Sequence, residues 1–427
     1  MKAKIIPIIP LLFLISLLFF SCEDLTYKEY KGYSPVYISY KDLRSAVTEV
    51  QNVDLKNPGK IYFKDNYIFI VEELEGIHVY DNTDPSAPEK KGFVKLPGVV
   101  DISISGNSLY ADSYVDLVVL DVQDVENIHE VGRITDILPY LVPASKTDFP
   151  TTYVDKDKGV VLGWELKTIK ERIENNPIVY PVYFTNGISF LDKLNSMGAS
   201  SGVSGSGVGV GGSMARFGIK GNTLYLVDNN TLRVFDISNK LTPVKVNEIY
   251  PGWNVETMFL LGNQMFLGTT SGMSVYNISS PFSPSFVTFF NHARSCDPVI
   301  VDDTLAYISL RTGTNCGGNI NVLDVVNVKD ITKPTTVISY FMNNPHGLGK
   351  SGDLLFICDG SEGLKVYNAA DPKLILSNLV YTYPNIQAYD VIPVGKVLIL
   401  IGDDGLFQYN YSDIKNISLL SKIPVVK

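Results

Sequence analysis

The chain has 427 residues, 45 acidic against 36 basic side chains and a formal net charge of −9, with no basic patch along it. The phosphate term that dominates nucleic-acid binding would be repulsive here, which argues against a nucleic-acid partner. Tyr and Phe are plentiful, 25 and 20, while Cys is scarce at four, so the chain reads as a large soluble body rather than a disulfide scaffold.

The first element is an address. Lys2 and Lys4 precede an apolar run over residues 5–20 that is too short to span a bilayer comfortably and stops at Ser21-Cys22. Leu18-Phe19-Phe20-Ser21-Cys22 resembles a lipobox, which implies cleavage before Cys22 and acylation of its thiol and new amine. Glu23-Asp24 directly after it resembles the signal that sends lipoproteins of the Bacteroidetes to the outer face of the outer membrane. The expected organisation is a signal peptide over 1–21, a tether over 22–34 and one folded body over 35–427, anchored to the membrane by lipid and facing the cell exterior. Removing the peptide takes away two lysines and no acid, so the charge moves to about −11.

From residue 60 onward a unit of about forty residues returns seven times. Each copy holds an apolar strand that ends on Asp or Asn before a polar loop: GIHVYD81, DLVVLD121, TLRVFD236, GMSVYN277, NINVLD324, GLKVYN368 and GLFQYN410. The marker residues are Asp81, Asp121, Asp236, Asn277, Asp324, Asn368 and Asn410, separated by 40, 115, 41, 47, 44 and 42 positions. Upstream of each marker lie two apolar segments joined by a turn pair: Asp65-Asn66, Gly106-Asn107, Gly221-Asn222, Gly262-Asn263, Asp302-Asp303, Gly352-Asp353 and Gly395-Lys396. Gly, Asn and Asp tolerate the positive φ of tight hairpins. One more apolar segment follows each marker, so every copy predicts four antiparallel strands, A to D. A unit of this size cannot bury both faces alone, and radial stacking leaves the fewest open edges. The expected fold is all-β: one β-propeller of about seven four-stranded blades, with Val36–Tyr40 as a strand that could seal the ring.

These copies resemble LVIVD repeats, most closely at DLVVLDV and TLRVFDIS. The resemblance implies a bacterial cell-surface lipoprotein with a propeller fold and carries no catalytic residue over to this chain.

The second gap exceeds the others by 74 residues, an insertion over 135–213. Its middle, TTYV and VVLGWELKTIKERI around Asp155-Lys156-Asp157-Lys158-Gly159, predicts a hairpin on a charged turn, and its end, 198–213, is a Gly/Ser-rich linker expected to stay flexible. The insertion would open onto the rim where the first strands begin, as an accessory hairpin or lid.

On that rim one charged or polar residue per repeat stands at the start of the innermost strand: Lys60, Asp101, Arg216, Glu256, Asp297, His346 and Asp390, with His292 and Arg311 nearby. Closure would gather them into a solvent-facing ring at the channel mouth. They either pair among themselves to close the mouth or form a site for a ligand or cation. The expected function is a binding or interaction module whose ligand is a glycan or a protein; the alternative is a propeller hydrolase or lactonase at the channel mouth. No HExxH, G-x-S-x-G or phosphate-loop motif is present, so no catalytic residue and no cofactor is assigned beyond a divalent cation at the mouth as one reading. Cys296 and Cys316 fall in loops of the fifth repeat that open on one rim and are expected to form a disulfide, against free thiols or a metal site as alternatives, and Cys358 ends an apolar strand as a buried side chain. The sequence carries no sign of an oligomeric state.

Overall fold

A computed structural model describes residues 27–172, 210–213, 215–228, 230–252, 254–292, 298–312 and 320–427. Seven antiparallel blades of four strands follow one another in chain order, blade 1 over residues 58–95, blade 2 over 102–134, blade 3 over 217–249, blade 4 over 255–291, blade 5 over 299–341, blade 6 over 348–383 and blade 7 over 388–424, and blade 1 is widened to six strands by Thr48–Val50 and Val210–Gly211. The chain is therefore an all-β propeller of seven blades. Among the described residues no helix is long and apolar enough to cross a membrane.

Strands B and C of each blade are buried on both faces, because they lie between neighbouring sheets, and they read as near-continuous apolar runs such as Tyr67–Glu72 and Gly76–Asp81. Strands D are outermost and largely exposed, as at Ser285–Asn291, except in blade 1, where Thr48–Val50 pairs along the outer edge of Glu89–Lys95. Apolar clusters fill every junction between blades, one of them running through blade 5 to join blades 4 and 6, and at the last junction Ile61, Ile68 and Ile70 of blade 1 meet Ile392, Ile399 and Ile401 of blade 7. The ring closes on that packing and on a reciprocal amide pair, Asn82 to Gln408 at 2.9 and 2.6 Å. Both end blades are contiguous in sequence, so no strand is exchanged to seal the ring.

Val36–Tyr40 does not seal it. Tyr27–Ile38 (β1) pairs antiparallel with Val160–Arg172 of the insertion in a two-stranded ribbon, register Tyr27 to Arg172 and Ile38 to Val160. The expected tether is thus strand from Tyr27 onward, and VVLGWELKTIKER pairs with the N-terminal segment rather than with TTYV. The reason is that both stretches alternate apolar and charged residues over a dozen positions, which matches two long partners better than a four-residue one. Lys156–Lys158 forms a short 3-10 turn capped by the Asp155 side chain. The base of the ribbon rests on blade 2, where Leu43, Val115 and Val160 pack together. Arg44 donates to Asp116 and Asp136, and Arg133 also donates to Asp116, which is fully buried.

The marker residues have a common task. In all seven blades the marker side-chain Oδ1 accepts from the backbone N–H two residues on, at 2.8–2.9 Å: Asp81 to Thr83, Asp121 to Gln123, Asp236 to Ser238, Asn277 to Ser279, Asn327 to Lys329, Asn368 to Ala370 and Asn410 to Ser412. This Asx turn needs only an acceptor oxygen, which is why Asp and Asn alternate freely. The next residue donates to the carbonyl of the A–B turn, as Val122 does to Asn107 at 2.8 Å. In the fifth blade both landmarks move from their expected places. The Asx residue is Asn327, with Val328 donating to Thr304 O, and the turn is Asp303-Thr304, where Asp303 takes φ 52°. Asp324 instead lies inside strand C opposite Ile308 and accepts from Ser339 Oγ, since the run VLDVVN offers two acceptor residues three positions apart.

Candidate functional site

Strand A of each blade lines the central channel and begins at one rim, which the D–A and B–C connections also face; this rim is the mouth. Six residues of the expected ring are described, and all six stand at the mouth. Asp297 lies outside the described residues, as do Cys296, Cys316, Cys22, Glu23 and Asp24.

The ring is not a solvent-facing rim. Lys60, Asp101, His346, Asp390 and the neighbouring Arg311 are all 6% exposed or less. The cause is a piece of chain in the channel. Val210–Gly211, at the end of the Gly/Ser-rich stretch, pairs with Phe63 and Tyr62 of Pro58–Lys64, the innermost strand of blade 1. The pairing is antiparallel, so the chain climbs towards the mouth. Ser213 then donates its N–H to Asp390 Oδ1 at 3.4 Å and accepts from Leu348 N at 2.8 Å, which ties the segment to blades 7 and 6. Ala215 O accepts from Met258 N of blade 4, and Arg216 N donates to Asp101 Oδ2 of blade 2 at 2.5 Å. Residues 210–213 are therefore fixed, against the expectation of a flexible linker: small residues suit a linker, and they equally suit a crowded channel where backbone must pass close to backbone.

Two groups of charges result. On one side of the channel Lys60 Nζ donates to Asp101 Oδ2 at 3.1 Å, and the same oxygen accepts from Arg216 N and Phe217 N. Asp112, which the repeat pattern did not single out, accepts from Val100 N and Asp101 N with one oxygen and from the Arg216 guanidinium with the other, at 2.7, 2.9 and 2.8 Å. Burial holds the Lys60 ammonium below the ordinary lysine value against the pull of Asp101, and raises Asp112 against the pull of Arg216. Such a network mainly fixes structure.

Strand B supplies the other acids that were missed. Glu72 accepts from Lys56 N and Asn57 N at 3.0 and 2.5 Å, and Asp359 from Asn344 N at 2.7 Å and Lys365 Nζ at 2.6 Å. Asp228 folds its own B–C loop through Asn230 N and Thr231 N. The sequence carries a signal for them: four second strands, YIFIVE, SLYAD, TLYLVD and LLFICD, end their apolar run on an acid.

The second side of the mouth is open. A cavity of about 580 Å3 lies between blades 1, 5, 6 and 7, lined among others by Lys60, Glu73, Arg311, Asn344, His346, Tyr389 and Asp390. The backbone of His346 is clamped between blades, its N–H on Cys358 O and its carbonyl accepting from Ser309 Oγ. Asn344 Nδ2 lies 3.1 Å from His346 Nε2; with that amide as donor, the imidazole proton sits on Nδ1. Burial, then the Arg311 charge, pull His346 down to about 3, so the ring is neutral. Arg311 is itself lowered to about 10 by burial, opposed by Glu256. Burial raises Glu73 to about 8 and Asp390 to about 7. Gly347 has no side chain where Asp390 Oδ1 and Tyr389 O press against it, and a Cβ there would clash with both. Of the expected ring, Lys60, His346 and Asp390 line this cavity together with Arg311, whereas Asp101, Arg216, Glu256 and His292 do not. Among the described residues no three His, Cys, Asp or Glu side chains converge as metal ligands do. Cys358 is buried with its thiol pushed up, as its place in an apolar strand implies.

This geometry can be set beside known proteins. Residues 98–136 and 211–249 match the LVIVD repeat. These two stretches are blade 2 and blade 3 with its channel segment. The comparison with curated proteins returns no match. Among solved structures the chain is similar to the computationally designed Ika8 protein, with TM-score 0.50 and 10% identity over 87% of this chain and 89% of that one. It also aligns with BamB from Moraxella catarrhalis, TM-score 0.44, 10% identity, 89% and 91% covered, and with Sqt1 from Saccharomyces cerevisiae, TM-score 0.46, 12% identity, 92% and 100% covered. At these identities the likeness concerns the fold alone.

Proposed function

We propose that this protein is a lipid-anchored outer-membrane binding module that faces the cell exterior and takes its ligand at the channel mouth. The observation that carries this is the cavity beside the channel segment, whose size suits a small-molecule ligand and whose walls gather perturbed acids, a neutral imidazole and an aromatic ring from four blades. Repetition elsewhere in the ring serves structure, and this is where the blades stop repeating. The lipobox-like Leu18-Phe19-Phe20-Ser21-Cys22 supports the anchor, and the ribbon that starts at Tyr27, five residues after Cys22, would hold the propeller on a stiff stem about 40 Å long.

Two measurements test the reading. Wild-type protein should incorporate a labelled fatty acid and Cys22→Ser should not, while Glu23→Ala with Asp24→Ala should keep the label and lose protease accessibility on intact cells; an unlabelled wild type contradicts the anchor. A thermal-shift screen of polar metabolites should yield stabilising compounds whose effect disappears in Asn344→Ala. If every stabilising compound acts equally on both proteins, the ligand does not sit at the mouth.

A further inference from the structure

Asp390 is 4% exposed and lines the cavity, yet its Oδ2 atom is buried without a hydrogen-bond partner, while Oδ1 accepts from Ser213 N. Leaving a buried carboxylate oxygen unpaired costs more than a hydrogen bond returns, so an Asp390 carboxyl with one such oxygen in a residue that lines a cavity points to a donor supplied from the cavity side. Three kinds of donor-bearing ligand differ in how they suit the rest of the wall. A divalent cation would need several oxygen or imidazole ligands, and no such convergence exists among the described residues. An anion would find Lys56, Lys60 and Arg311 in the wall, but Lys60 already donates to Asp101, the Arg311 charge is offset by Glu256, and Asp403 faces the same space. An organic cation would place a third positive charge near the buried Lys60 and Arg311. Hydroxyl groups meet none of these penalties. Asn57, Asn321, Asn343, Asn344 and Gln387 line the same space, and each amide offers both a donor and an acceptor, which is what a hydroxyl pairs with. Tyr389 supplies an aromatic surface, its own hydroxyl held by Asp403.

Resting on the mouth reading above, we propose that the cavity takes a neutral carbohydrate, with one sugar hydroxyl donating to Asp390 Oδ2 and a sugar face lying on Tyr389. His346 contributes a neutral ring nitrogen rather than a charge, and the channel segment fixes the carboxylate through Ser213 so that Oδ2 is already oriented before the ligand arrives.

A printed array of neutral, anionic and amino glycans probed with the purified protein should show binding to neutral glycans. The tightest neutral oligosaccharide, titrated by calorimetry, should bind at least tenfold more weakly to Asp390→Asn and to Tyr389→Ala. Binding confined to anionic or amino glycans, or neutral binding that both variants keep within twofold, overturns the proposal while leaving the mouth reading to the metabolite screen. Binding to no glycan class overturns it too, and only the absence of any mouth-dependent compound in that screen removes the broader reading. Should Asp390→Asn fail to fold, Tyr389→Ala and Asn344→Ala decide the matter alone, since neither residue is fully buried.

Discussion

On the rim away from the mouth, all seven blades close with the same bonds: the Asx turn of the marker residue, and the following N–H on the A–B turn carbonyl. At the mouth the described ring residues differ in kind, and Lys60, Asp101, Arg216, His346 and Asp390 are each held by different partners. The contrast separates two demands on one repeat. A hairpin end has one physical problem, orphaned backbone groups, and one solution fits every copy. The mouth is where seven equivalent positions converge on a single space, so identical residues there would be like charges facing one another.

The largest effect expected from this contrast is at Asp101. Asp101→Ala removes the partner of a buried ammonium and the acceptor for two backbone N–H groups, and should cost roughly 3–5 kcal/mol in denaturant unfolding. A loss near that of a rim residue would mean the mouth network is no more structural than the turns.

The next effect is a pH dependence. The folded-state values of Asp390 and Glu73 lie near 7 and 8, above their ordinary ones, so the folded protein binds more protons than the unfolded chain in between. Their contribution is full below about pH 4 and is lost as pH rises through 7 to 8. His346, lowered to about 3, has the opposite sign and gains stability as pH rises to about 6.5. Asp390→Asn should therefore gain in melting temperature relative to wild type as pH is raised from 4 to 8; a gap that does not change with pH would contradict the burial argument.

The smallest effects belong to the far rim. Asp236→Ala and Asn327→Ala should each lower the melting temperature slightly through the loss of one exposed hydrogen bond, whereas Asp236→Asn should leave it almost unchanged because the acceptor remains. Equal losses for Asp236→Asn and Asp236→Ala would show that charge, not the Asx turn, selects the marker.

The fold was legible because spacing, turn pairs and strand-ending residues all report on backbone geometry that every copy shares. The blade 5 marker was misplaced by three residues because VLDVVN offers two acceptors, and its A–B turn by one. The ring positions at the mouth could be counted from the turns, but their burial could not, since it depends on Val210–Ser213, a stretch whose composition is that of a linker and whose order comes from blades 1, 6 and 7. The cavity was less legible still. Asn344 and Tyr389 stand in or beside connections with no period, and only closure of the ring sets them beside Asp390.

The central claim, that ligands engage the mouth and not the repeated rim, is tested most directly by hydrogen exchange of the protein with and without the tightest neutral oligosaccharide from the array. The account predicts slowed exchange at residues 56–60, 343–347 and 387–391, with the Asx loops unchanged. Protection confined to the Asx loops or to the outer D strands would contradict it.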